Sequence, residues 1–239
     1  MIAMILAAGL GSRLKPWTDQ HPKALAVVNG KPVLQRNIEY LQQAGIYQVV
    51  VNVHHFADQI IAAVQQHRGW GSEVHISDES DAVLETGGGL QKAVPLFGEA
   101  RTILLMNADI LTDLPLHALL AKHAQTGADA TLAVTNRESS RCFLFDDTGR
   151  LCGWRNKKTG ETKQPRQVAS VVEEKAFSGI QVLQESIFRH LPFTGKFSMV
   201  DAYLAMCSQH QIRAFDHSQS KFIDIGTMEK LGAASQLFP

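Results

Sequence analysis

The chain reads as an α/β protein: one doubly wound, mostly parallel sheet with a small antiparallel β-rich insertion at about residues 137–176. Three observations carry this. Strand-length apolar runs alternate with stretches of helical spacing up to residue 135, the signature of strand–helix–strand units. After about residue 136 the alternation gives way to short strand-like runs. No internal repeat or linker divides the 239 residues, a length that suits one large α/β core, so a single domain is expected over 1–239.

Met1–Ala7 is a continuous apolar run of the kind buried on both faces. A long loop follows, and Val33, Leu34, Ile38 and Leu41 then recur at helical spacing up to Gly45, a helix stop. Tyr47–Val53 is β-branched strand and Phe56–His67 is helix, with Ile60, Ile61 and Val64 inward. Glu73–Ser77 is a short strand and Gly88–Val94 a short helix ended by Pro95. Thr102–Asn107 is strand, Pro115–Gln125 a helix opened by proline, and Asp129–Thr135 strand again. Phe143–Phe145, Leu151–Trp154 and Gln167–Val172 form the antiparallel insertion. The polar, basic run Arg155–Glu161 between them reads as a solvated hairpin. Strand Phe177–Leu183, helix Met199–Gln209, strand Phe222–Ile225 and a helix from about Thr227 to Leu237 complete the order.

Lys plus Arg and Asp plus Glu are 23 each, a formal net charge of zero. That balance argues against a bulk electrostatic grip on nucleic acid or an anionic membrane. The three cysteines, Cys142, Cys152 and Cys207, have no metal spacing, and an odd number argues against a disulfide framework. The N-terminus is apolar without a basic leader and glycines interrupt it at once, so it does not read as a signal peptide. No apolar run reaches the length of a membrane span. The expectation is a soluble cytoplasmic protein.

Function is concentrated in residues 4–32, MILAAGLGSRLKPWTDQHPKALAVVNGKP. A strand running into Gly9-Leu10-Gly11-Ser12 exposes consecutive backbone N–H groups, which suit a polyphosphate. Arg13 adds a bidentate phosphate donor and Lys23 a movable positive charge. The P-loop pattern is absent, and the dinucleotide fingerprint would need glycine where Leu14 stands. Ligands in open α/β sheets bind beyond the carboxyl ends of strands, and two acids fall at such ends: Asp109 after Leu104–Asn107, and Asp224 in Phe222–Ile225. Each aspartate alone reads first as a turn former or cap. Beside a triphosphate loop, the two make hard oxygen ligands of the kind that hold Mg²⁺ or Mn²⁺. His54-His55 is not a metal pair, because neighbours on an extended chain point apart. Asn52 is the better candidate for a base or sugar contact. Leu84-Glu85-Thr86-Gly87-Gly88-Gly89 reads as a glycine-rich turn before a helix, or as a place where a ligand comes close.

These residues resemble the signature of the sugar nucleotidyltransferases, roughly LAAGxGxRxxPxTxxxPKxLxxxxGKP, and the likeness extends over nearly the whole chain. It implies a Rossmann-like fold of the nucleotide-diphospho-sugar transferase type, acting on an NTP and a sugar-1-phosphate with a divalent metal. It implies nucleotide contacts at Ala7, Ala8, Gly9, Gly11, Ser12, Arg13, Asn52, Glu79, Thr86 and Gly87. Arg13, Lys23 and Asp109 become catalytic residues, and Asp109 and Asp224 metal ligands, with Gly226 and Thr227 completing the second motif. Sugar contacts are implied at Glu85, Asn107, Glu174, Lys175 and Gly179. In Glu173-Glu174-Lys175 the family's following proline is replaced by Ala176, and in Asn107-Ala108-Asp109 its usual middle glycine by Ala108. The string LETGGG is similar to N-acetylmuramate-1-phosphate uridylyltransferases and to some mannose-1-phosphate guanylyltransferases. The chain ends soon after Asp224, so no hexapeptide-repeat domain is expected.

The preferred substrates are UTP and N-acetylmuramate-1-phosphate, a step in cell-wall sugar metabolism. The closest competitor is GTP with mannose- or heptose-1-phosphate. A choline-phosphate cytidylyltransferase would favour an aromatic and acidic acceptor pocket, whereas Gly87–Gly89 and Phe177–Ile180 lean towards a sugar. A nucleotide sensor without turnover would be expected to have lost Lys23, Asp109 or Asp224, and all three are present.

Overall fold

The computed structural model describes residues 1–168 and 172–239. In chain order the strands are β1 (Ile2–Leu6), β2 (Val27–Val28), β3 (Lys31–Pro32), β4 (Gln48–Val53), β5 (Glu73–Asp78), β6 (Thr102–Asn107), β7 (Ile110–Thr112) and β8 (Ala130–Thr135). They continue with β9 (Arg141–Phe145), β10 (Leu151–Asn156), β11 (Thr162–Lys163), β12 (Glu173–Gln184), β13 (Ile212–Asp216) and β14 (Phe222–Asp224). The helices are α1 (Val33–Gln43), α2 (Ala57–Gln66), α3 (Glu85–Ala93), α4 (Leu116–Thr126), α5 (Glu185–Phe188), α6 (Met199–Met206) and α7 (Met228–Leu237).

The main sheet runs β11-β10-β9-β12-β6-β1-β4-β5, with β8 also on β12 and β13 on β8. Its functional half, β6-β1-β4-β5, is parallel, as short strand–helix repeats dictate. β12 reverses the direction. Its twelve residues pair antiparallel with β9, β8 and β6 in turn, so it joins the nucleotide half to the β-rich half. Both faces are covered. Along β1, Ile2 and Met4 pack with Leu90, Phe188 and Tyr203, while Ala3 and Ile5 pack with Leu34, Ile38 and Ile60. That alternation is the period of two expected of a strand between two helical layers. A third, smaller core of Leu14, Val28, Val33, Leu111, Ile225 and Ala234 seats α7 and the β2–β3 hairpin beside the glycine loop.

Most element boundaries fall within two residues of those expected. The helix expected over Gly88–Val94 begins earlier, at Glu85, so all three glycines lie inside α3 and not in a turn before it. The strand expected over Gln167–Val172 is not found at 167, 168 or 172, and 169–171 lie outside the described residues. Arg155–Glu161 is the β10–β11 hairpin. The unexpected strands β2, β3 and β7 are two or three residues long, too short to carry a period. β13 was masked by its polar members, Arg213 and Asp216. Among the described residues no helix is long and apolar enough to cross a membrane.

Candidate active site

Leu6 ends β1 in register with Asn52 of β4 and with Asn107 of β6. These three parallel strands therefore finish together at one edge of the sheet, and a cavity of about 510 Å³ opens there. Its wall brings together Ala7, Ala8, Gly9, Gly11, Ser12, Arg13 and Lys23 from the first loop, and Asn52 and Glu79 from the β4 and β5 ends. Glu85 and Thr86 come from the start of α3, and Asn107 and Asp109 from the β6 end. Ser198, Val83 and Gly226 also line it.

The glycine loop is held by its own packing. Gly11 has φ +62° and a Cβ there would lie 2.8 Å from Thr18 Cγ2 and 3.1 Å from Lys23 Cβ. Only glycine combines that backbone with that closeness. Thr18 Oγ1 donates to the Gly11 carbonyl at 3.0 Å, and Leu14 N–H to the same oxygen at 2.8 Å. The spacing from Gly11 through Thr18 to Lys23 is thus one packed unit that delivers the Lys23 ammonium to the cavity. Gly9 differs: a Cβ there would meet nothing within 4 Å.

Asp109 is fixed by its backbone. Asn37 Nδ2 donates to the Ala108 carbonyl at 2.9 Å, Ala108 N–H to Leu6 O at 3.0 Å, and Ile225 N–H to Asp109 O at 2.8 Å. Its carboxylate is ion-paired with Lys23. Through the antiparallel β7–β14 pair, Asp224 stands opposite Ile110, next along from Asp109. Asp224 does not line the cavity; its carboxylate is paired with Lys230 of α7. Gly226 does line it, packed near the Arg13 guanidinium, which would sit 3.3 Å from a Cβ at that position. Thr227 serves α7 as its N-cap, accepting from Lys230 N–H at 3.3 Å. Asp109, in the turn between β6 and β7, and Asp224, at the end of β14, are carboxylates of the hard-oxygen kind that Mg²⁺ prefers. Among the described residues no group of three or more potential metal ligands exists.

Asn52 and Glu79 form a buried pair in the cavity wall. Asn52 Oδ1 accepts from Ala7 N–H at 2.7 Å, and its Nδ2 donates to Glu79 Oε1 at 2.6 Å. Asn52 therefore ties the glycine loop to the β5 end and its amide orientation is set by both partners. Glu79 is 1% exposed, its Oε2 has no hydrogen-bond partner among the described residues, and burial raises its carboxyl above the usual range.

Four of the expected nucleotide and sugar contacts, Gly87, Glu174, Lys175 and Gly179, do not reach the cavity. Gly87 donates its N–H to Phe197 O at 2.9 Å, and a Cβ there would overlap the Phe197 ring. The triglycine admits protein and not ligand: Gly88 faces Gly195, and Gly89 faces Glu79 and Asn52. Glu174 is turned into ion pairs with Arg155 and Lys157, and Lys175 into a 2.8 Å pair with Asp216. Both lie where β12 has left the nucleotide half for β9. Gly179 (φ +72°) lies behind the wall, where a Cβ would come within 2.6 Å of Asn107 Nδ2. Ser198 and Lys230 went unread in the sequence. The signal for Ser198 was its capping pattern with Asp201, whose N–H it accepts at the start of α6.

A model of the MobA-like NTP transferase domain matches residues 3–214. An N-acetylmuramate alpha-1-phosphate uridylyltransferase of Caulobacter vibrioides is 30% identical over 224 residues, covering 88% of this chain and 86% of that protein. A mannose-1-phosphate guanyltransferase of Aspergillus fumigatus is 26% identical across 95% of this chain, which spans 61% of that protein's length. The crystal structure of HddC from Yersinia pseudotuberculosis complexed with GMP-PN superposes with a TM-score of 0.80 at 25% identity, covering 100% of this chain and 99% of HddC. With its glycine loop, strand-end acids and sheet order, the chain belongs to the MobA-like NTP transferase domain family, among the sugar nucleotidyltransferases.

Proposed function

We propose that the protein transfers the nucleotidyl group of UTP to N-acetylmuramate-1-phosphate, giving UDP-N-acetylmuramate and pyrophosphate, in the cytoplasm. The observation that carries this reading is the convergence of Arg13, Lys23 and Asp109 on a glycine loop at the joint end of three parallel strands. The choice of substrates is supported by the Caulobacter relative, which aligns along most of both chains. An oxygen of the sugar phosphate attacks the α-phosphorus, the bond from that phosphorus to the β-bridging oxygen breaks, and pyrophosphate departs with the electron pair. The attacking oxygen is already ionised at neutral pH, so no protein nucleophile or base is required.

The protein's work is then to position two anions and to offset their charge. The loop amides and Arg13 hold the departing phosphates, and Lys23 follows the α-phosphate or sugar phosphate on its flexible stem. Asn52 keeps the Ala7 amide in place from behind. Mg²⁺ or Mn²⁺ held by Asp109 and Asp224 would neutralise phosphate charge during the transfer. A second reading, GTP with mannose- or heptose-1-phosphate, is favoured by the likeness to HddC, whose structure holds GMP-PN.

The test is a pyrophosphate-release screen of four NTPs against a panel of sugar-1-phosphates with Mg²⁺. UTP with N-acetylmuramate-1-phosphate is expected to be the fastest pair. GTP with mannose-1-phosphate leading would establish the second reading. No release with any pair, or undiminished release by Asp109→Ala, would overturn both.

A further inference from the structure

Each of the two strand-end carboxylates carries a lysine. Lys23 lies on Asp109 and Lys230 on Asp224. The two lysines differ in where they can go. Lys23 lines the cavity and its side chain is 15% exposed, so an incoming phosphate is its natural second partner. Lys230 projects from the first turns of α7, does not line the cavity, and is 44% exposed. When its carboxylate is taken by another cation, Lys230 can turn into water at little cost.

Two carboxylates paired with two ammonium groups present no net charge to a free divalent cation. A cation approaching the empty protein must displace both lysines. A nucleoside triphosphate changes the balance, because its phosphates draw Lys23 from Asp109 and bring oxygen ligands of their own. We infer that Lys230 is a positioning residue that latches Asp224 and, with Lys23 on Asp109, keeps free divalent cations off the two-aspartate site until a nucleotide arrives. The inference rests on the proposed nucleotidyl transfer for the identity of the site. It adds that metal and nucleotide bind with positive, reciprocal coupling, so that the metal enters with its nucleotide.

The experiment titrates Mn²⁺ alone into the chain, following the free aqueous Mn²⁺ signal by electron paramagnetic resonance, and repeats this with a non-hydrolysable UTP or GTP analogue. The wild-type chain should bind Mn²⁺ weakly alone and much more tightly with analogue. Lys230→Gln should tighten binding of Mn²⁺ alone about fivefold, equivalent to about 1 kcal/mol and the upper range for a part-exposed ion pair. Lys230→Arg should restore the weak affinity, which a general loosening of α7 would not do. Melting curves on each variant confirm that the fold is retained. Equal Mn²⁺ affinity for Lys230→Gln and wild type would overturn the latch. If Asp109→Asn and Asp224→Asn with analogue still bind Mn²⁺ as wild type does, the two-aspartate metal assignment itself fails.

Discussion

Gly89→Ala pits helix propensity against the site's geometry. Gly89 lies inside α3, where alanine would ordinarily add about 1 kcal/mol of stability. Its Cβ would fall 2.6 Å from Glu79 Oε1 and 2.8 Å from Asn52 Nδ2, closer than real Cβ contacts come. Both side chains are buried, so neither can swing into water. Relieving the clash breaks the Asn52–Glu79 bond and, by moving Asn52, its bond to Ala7 N–H. Buried bonds lost in this way cost about 2 kcal/mol each, so the net loss is about 3 kcal/mol and the melting point falls by about 9 °C. Nucleotide affinity should fall as well, because the Ala7 amide loses its anchor. Gly232→Ala is the control: it makes the same change in α7, where a Cβ meets nothing within 4 Å, and should stabilise by about 1 kcal/mol. Urea denaturation of the two variants beside wild type decides the matter. A Gly89→Ala protein stabilised like Gly232→Ala would refute the claim that the Glu79–Asn52 pair is rigid.

Three further outcomes follow from charge. Burial raises the Glu79 carboxyl above its ordinary 4.5, so the folded state holds its proton more firmly than the unfolded one, and stability falls as pH rises from 4.5 through the raised value. Glu79→Gln keeps the acceptor for Asn52, and in urea titrations should match wild type near pH 4 and exceed it at pH 7. His217, buried and hydrogen-bonded to Ser178 Oγ at 2.7 Å, is pushed down to about 4 by burial. Its stabilising contribution is complete above about pH 6.5 and is lost as pH falls towards 4. His217→Gln should therefore flatten the acid limb of the stability profile by up to one proton. Lys23→Met should reduce pyrophosphate release 10²- to 10³-fold, as loss of a charge-stabilising donor does, while its melting point stays within a few degrees of wild type.

The sequence disclosed the loop from Gly9 to Lys23 because function and packing use the same residues there. The contact of Gly11 with Thr18 and Lys23 requires the spacing that also delivers the ammonium. Asp109 was legible because the apolar run Ile103–Met106 of β6 ends shortly before it. The triglycine misled because an extreme glycine demand looks alike whether ligand or protein comes close, and here Phe197, Gly195 and the Glu79–Asn52 pair fill the space. Glu174 and Lys175 matched a motif locally, yet β12 carries them to β9, a consequence of pairings far apart in the chain. Lys230 was invisible for a different reason: it lies only six residues from Asp224, and the turn from β14 into the start of α7, which carries no side-chain pattern, brings the two together.

The central claim, transfer at the α-phosphorus, is tested most directly by the ³¹P spectrum of the products from UTP, N-acetylmuramate-1-phosphate and Mg²⁺. The account predicts a sugar-linked diphosphate and pyrophosphate appearing in equal amounts, with neither formed by Asp109→Ala. Orthophosphate with UDP, or pyrophosphate with UMP and unchanged sugar phosphate, would contradict it.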